Sequence, residues 1–116
     1  FAITDTCPYT YWADLIVGAH PHMLQGAGWR GQTPVLYSLG NFWFNMETLD
    51  TALLEVTVTG PGAGNAQVRL LPCVQTGGRT SLVEDEAERR RILEELNAVC
   101  ESGWFDEEGV LHKPEA

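Results

Sequence analysis

The clearest regularity in the chain lies in its middle. From Thr51 to Thr59, Ala52, Leu54, Val56 and Val58 alternate with Leu53, Glu55, Thr57 and Thr59. Period two puts successive side chains on opposite faces, so the pattern predicts a half-buried strand. Ala66 to Val74 repeats the alternation through Val68, Leu70 and Pro72, and the intervening Gly60-Pro61-Gly62-Ala63-Gly64-Asn65 reads as a turn. Together they predict a hairpin, with Pro72 favouring an edge position because proline cannot donate to a ladder.

Upstream, Leu15-Ile16-Val17 is a short continuous apolar run closed by Gly18. Such a run predicts a strand buried on both faces, as in a parallel or mixed sheet. The Gly-rich stretch Gly26-Ala27-Gly28-Trp29-Arg30-Gly31 reads as a loop. Pro34-Val35-Leu36-Tyr37-Ser38-Leu39 reads as a second strand, interrupted by Gly40-Asn41 before Phe42-Trp43-Phe44. Residues 1–12 are an irregular lead-in, with Pro8 between Cys7 and an aromatic patch at Tyr9-Thr10-Tyr11-Trp12.

Downstream the period lengthens. Ser81-Leu82-Val83-Glu84 has capping-box spacing, and Glu84, Asp85 and Glu86 sit where a helix dipole favours negative charge. Ile92, Leu93, Leu96, Val99 and Cys100 form an apolar stripe at helical spacing, and Gly103 is a natural stop. A long helix over 81–103 is therefore expected, packed by its stripe on the sheet. Arg89-Arg90-Arg91 reads as a solvated face. Trp104-Phe105 and Val110-Leu111 dock the tail, 104–116, or form a last short strand. The fold class is α/β, α+β within these residues: a mixed sheet of about four strands over 13–74 with one C-terminal helix.

Composition narrows the partners. With 116 residues, 44% of them hydrophobic, the chain makes one domain at most, with a modest core. Its net charge of −9 repels phosphate backbones and anionic lipid, which argues against nucleic-acid and membrane-surface binding. No apolar run approaches the roughly 20 residues that span a bilayer. The three cysteines, Cys7, Cys73 and Cys100, are too widely spaced for a Cys-rich zinc site. One disulfide with a free thiol, or three thiols, both fit.

One constellation carries chemistry. Gly18-Ala19-His20-Pro21-His22 follows directly on the first apolar run. The carboxyl end of a strand is where α/β sheets place ligand crevices, and two imidazoles flanking a stiff proline converge on a metal if the loop curls. From spacing alone, loop histidines bonded to backbone or water are the more frequent outcome.

The wider context bears on that choice. Ala13-Asp14-Leu15-Ile16-Val17-Gly18-Ala19-His20-Pro21-His22-Met23-Leu24-Gln25-Gly26, followed by Pro34-Val35-Leu36-Tyr37-Ser38-Leu39-Gly40-Asn41-Phe42, closely resembles the bacterial capsule synthesis family, the CapA-type poly-γ-glutamate proteins. The likeness covers Ala13 to Val74 well and the helix more weakly. The family in turn resembles a branch of the calcineurin-like metallophosphoesterases, whose two-sheet sandwich carries a two-metal centre and a late Gly-His-x-His turn.

This resemblance implies several things. Residues 1–116 would be the C-terminal portion of one CapA-type domain. His20 and His22 would be metal ligands for Mn, Fe or Zn type ions. Asn41 would shape the site, and is the one catalytic candidate, although a turn-capping role fits it equally. The whole domain would hydrolyse a phosphoester or related bond, or else act without catalysis as an envelope assembly module binding an anionic polymer such as poly-γ-glutamate. The cell envelope or its outside would be its location.

Three departures stand out. Ala19 replaces a frequent histidine, Trp12 replaces a glycine, and the early Asp, Asn and His motifs that supply the other ligands are missing. Metal binding by these residues alone is therefore expected to be weak or absent, without turnover. Trp29, Trp43 and Phe44 read as core or dimer contacts in preference to a partner surface. Half a sandwich exposes apolar sheet, so a homodimer or domain-swapped assembly is expected.

Overall fold

The computed structural model describes residues 14–19, 23–40, 42, 47–61 and 63–114. Cys7, the aromatic patch at 9–12, His20, Pro21, His22, Asn41, Trp43 and Phe44 lie outside the described residues. The architecture of the described residues is α+β, with mixed sheet and one α-helix, as expected. Among the described residues the strands divide into three sheets.

The first sheet contains β1 (Ile16–Val17), β2 (Ala27–Arg30) and β3 (Thr33–Leu36), in the order β1-β3-β2. β1 runs parallel to β3, with Ile16 opposite Val35 and Val17 opposite Leu36. β2 and β3 form an antiparallel hairpin. Two expectations change here. Val17 is 44% exposed, so β1 is buried on one face only. The Gly-rich stretch supplies strand β2. Its glycines serve close packing: a Cβ on Gly26 would meet the Val99–Cys100 backbone, and one on Gly28 the Glu101 side chain.

The second sheet is antiparallel, in the order β4 (Leu49–Val58), β5 (Ala66–Thr76), β6 (Arg79–Leu82). The predicted hairpin forms in register, with Ala52 opposite Pro72, Leu54 opposite Leu70 and Val56 opposite Val68. Ala52, Val68 and Leu70 are buried, while Val56 and Val58 become exposed as the hairpin projects beyond the core.

Pro72 lies on the central strand, which corrects the edge assignment. The missing donor is harmless for a specific reason. The Pro72 carbonyl accepts from Val83 N–H, so the proline nitrogen faces the same side, one step beyond the last pair with β6, Cys73 opposite Leu82. Past that gap, the Leu70 N–H bonds the Gly109 carbonyl at 2.8 Å. β5 thus has two partners along one edge, with proline where neither needs a donor.

Ser81 and Leu82 belong to β6, not to a helix cap. The signal for β6 was Gly77-Gly78, with φ of 58° and 76°, between the paired Thr76 and Arg79. Two consecutive positive φ angles make the tight turn that matches strand twist. The helix α1 is Glu86–Val99, capped by Asp85, whose carboxylate accepts from Glu88 N–H at 3.0 Å. Ile92, Leu93 and Leu96 are buried as expected, but Val99 is 64% exposed, because the chain turns extended at Cys100 and the helix ends there. Arg91, within the expected solvated face, is held by Asp50, Glu88 and Glu95.

The tail forms a hairpin of β7 (Trp104–Phe105) and β8 (Leu111–His112). Phe105 and Leu111 join Ala27, Leu36, Ala52, Val68, Leu70 and the three helix residues in one core. Among the described residues, no helix is long and apolar enough to cross a membrane.

Candidate functional site

The structure fixes the flanks of the two candidate loops. On the first, Gly18 N–H donates to the Leu36 carbonyl at 2.6 Å, ending β1 against β3. A Cβ on Gly18 would collide with the Tyr37 carbonyl, so the chain leaves the sheet there without a side chain. The stretch re-enters at Met23 and Leu24. Leu24 bridges Leu39, and Gln25 N–H donates to the Ser38 carbonyl at 3.0 Å.

The second loop leaves from the far side of that bridge. Gly40 adopts φ of 75°, a left-handed conformation that glycine takes without strain. Its N–H donates to Ser38 Oγ at 3.1 Å, and the buried Thr51 hydroxyl donates to the Leu39 carbonyl at 2.7 Å. A Cβ on Gly40 would stand 3.0 Å from Leu24 N and 3.2 Å from Met23 C. The stems that carry His22 and Asn41 are therefore in contact. The side chains of His20, His22 and Asn41 lie outside the described residues.

Two polar clusters were not anticipated. Beside β2, Arg30 pairs with Glu101 at 2.5 Å and donates to Tyr37 Oη at 3.1 Å, while Tyr37 donates to Glu101 at 2.8 Å. Hydrogen bonds from Arg30 and then Tyr37 hold the Glu101 carboxyl below its ordinary range. Burial, then the bond to Glu101, pushes the Tyr37 phenol up. On the tail hairpin, His112 Nε2 meets Asp106 Oδ2 at 2.8 Å and its ring stacks on Trp104 with centroids 4.4 Å apart. Burial alone would raise the Asp106 carboxyl, but bonds from His112, Val110 N–H and Glu108 N–H hold it low. Both clusters join residues far apart in sequence or fold a turn, and no local motif announces them. Among the described residues, no group of three or more His, Cys, Asp or Glu could hold a metal ion. Cys73 and Cys100 are both free thiols.

Comparison with known proteins decides the family. Residues 9–46 match the family model described as bacterial capsule synthesis protein PGA_cap, a span containing both loop stems. The chain is 31% identical over 102 residues to the PGA biosynthesis protein CapA of Bacillus subtilis (strain 168), covering 85% of this chain and 27% of that protein. It belongs to the CapA-type capsule synthesis family. The capsule biosynthesis protein CapA of Bacillus anthracis is 32% identical over 104 residues, covering 85% of this chain and 25% of that protein. The chain thus spans about a quarter of the length of these CapA relatives. The shared region runs well beyond the two loops, because 102 aligned residues take in the hairpin and much of the helical segment. No solved structure matches.

Proposed function

We propose that this chain is part of a metal-dependent hydrolase unit in a capsule biosynthesis protein, with His20 and His22 as metal donors and Asn41 shaping the site. The observation that carries this reading is the parallel pairing of β1 and β3. His20 and His22 follow the carboxyl end of β1, and Asn41 follows the carboxyl end of β3. Adjacent parallel strands release their loops on one side, where sheets of this kind form ligand crevices. The contact of Gly40 with Met23 and Leu24 supports the same convergence. The likeness of Gly18-Ala19-His20-Pro21-His22 to the Gly-His-x-His turn of metallophosphoesterases supports the choice of a phosphoester-type bond.

The donors present do not complete a site. Two imidazoles fall short of the four or more donors usual for a catalytic cation. The remainder would come from the rest of a longer protein, as the coverage of the CapA relatives allows. This chain is accordingly expected to bind divalent metal weakly and to turn nothing over. Calorimetry with zinc and with manganese tests this. Sub-micromolar, near-stoichiometric binding that persists in the His20→Ala, His22→Ala double variant overturns the assignment.

The hydrolase reading is tested on the longer protein, assayed against phosphoesters and poly-γ-glutamate with and without divalent metal. Metal-dependent cleavage abolished by His20→Ala supports it. Polymer binding without cleavage replaces it with a non-catalytic assembly role at the envelope.

A further inference from the structure

The sheet edges in this chain are treated unequally. The outer edge of β2 is covered by the segment after the helix: the Ala27 carbonyl accepts from Glu101 N–H, and Trp29 N–H donates to Ser102 Oγ. The second edge of β5 is divided between β6 and the turn at Gly109. β6 is four residues long and begins with Arg79. The outer edge of β4 is packed against Leu39 and Gly40 at its start, but from Leu54 to Val58 it has no backbone partner among the described residues.

Which groups face outward there follows from the ladder. Residues of an antiparallel strand alternate between pointing both N–H and C=O at one neighbour and at the other. Thr59 N–H bonds the Asn65 carbonyl, on the β5 side. Thr57, Glu55 and Leu53 therefore point toward β5, while Leu54, Val56 and Val58 point out. Among the described residues, nothing accepts from or donates to those three outward backbones. Leu53, Val56 and Val58 are also 42%, 38% and 67% exposed. Natural edges are guarded by charged side chains, lysine above all, by proline, bulges or brevity. This ten-residue strand has neither lysine nor proline, and the one charge between Leu53 and Val58, Glu55, is paired with Arg69 on β5.

We propose that β4 pairs antiparallel with β4 of a second copy of this chain, about a two-fold axis at Val56. The register is set by charge and by cover. Opposite residues in an antiparallel pair share a face, so the two-fold must fall on a residue. Centred on Val56, the pairing sets Leu54 opposite Val58 of the other copy and Glu55 opposite Thr57, and the outward backbones meet one another. Centred on Glu55, it would oppose two carboxylates, which is unfavourable. Centred on Leu54, it would carry the partner strand alongside Thr51 and Ala52, which are 0% and 2% exposed. The segment from Leu53 to Thr59 carries a single charge, so strand pairing there adds little to the repulsion between two acidic chains. This inference is independent of the role given to His20 and His22.

Sedimentation velocity over a concentration series tests it. The chain is expected to sediment at twice its 12.8 kDa mass. Val56→Pro removes an outward N–H that β5 does not use, and is expected to give a monomer with an unchanged circular dichroism spectrum. Val58→Lys, at the most exposed of these positions, is expected to raise the dimer dissociation constant at least tenfold. Val56→Cys, oxidised, is expected to yield a covalent dimer whose disulfide maps to position 56 in both chains. A monomer at millimolar concentration overturns the proposal and leaves the edge to a strand from elsewhere in a longer protein. A dimer untouched by Val58→Lys, with no cross-link at position 56, overturns it equally.

Discussion

The Thr51 hydroxyl, fully buried on β4, donates its proton to the Leu39 carbonyl at 2.7 Å and so fastens the stem of the second candidate loop to the antiparallel sheet. Replacing Thr51 with Val keeps the shape and leaves the carbonyl without that donor. A buried acceptor left unpaired costs about 1–3 kcal/mol. Urea denaturation of Thr51→Val should show a midpoint shift of that size, with the slope unchanged.

The helix start gives a second prediction. Asp85 caps α1 through Glu88 N–H, while Ser81, at the apparent capping box, lies in β6. Asp85→Ala should cost about 1 kcal/mol, within the usual range for a lost cap. Ser81→Ala, at an exposed strand position, should change thermal stability much less.

Two glycines separate backbone strain from collision. Gly31 has φ of 63° with open space around it, whereas Gly109 has φ of 89° and a Cβ there would strike the Leu70 carbonyl. Gly31→Ala should cost about 1–2 kcal/mol, the ordinary penalty for a left-handed residue. Gly109→Ala should cost distinctly more, because the Leu70 to Gly109 hydrogen bond must also give way. Chemical denaturation of the pair measures the difference.

Acid sensitivity follows from two carboxylates. Glu101 and Asp106 are both held below their ordinary values in the folded chain. A group depressed on folding stabilises above its unfolded pKa, and that contribution is lost as pH falls through the folded one. Their share of the stability should therefore be complete at neutral pH and fade from about pH 4 downward. Glu101→Gln should lower the melting temperature at pH 7 and flatten its fall toward pH 3.

How much of this was legible depended on the range of the signal. The β4–β5 hairpin was readable because alternation is local and both strands bury the same face. The Gly77-Gly78 turn was equally readable, but Ser81 and Glu84 imitate a capping box, and the strand hid behind that spacing. Gly26 and Gly28 looked like loop residues. Glycine also serves a strand when another segment lies against it, and that segment, Val99 to Glu101, is some 70 positions away in the chain. The same separation concealed the Arg30, Tyr37 and Glu101 cluster. The candidate loops were legible as ordered motifs, and the parallel β1–β3 pairing adds that both motifs leave the sheet at one end.

The strip from Cys100 to Ser102 along β2 also governs when this chain can fold. Cys100 Sγ accepts from the Ala27 N–H and Ser102 from Trp29, each across 73 residues. Contacts of such long range form slowly, since a large loop must close before they reward the chain. During synthesis the β4–β5 hairpin can assemble as soon as it clears the ribosome. The β2–β3 hairpin is equally local, but the outer edge of β2 must wait for residues 100–102, leaving that edge open to chaperones in the interval.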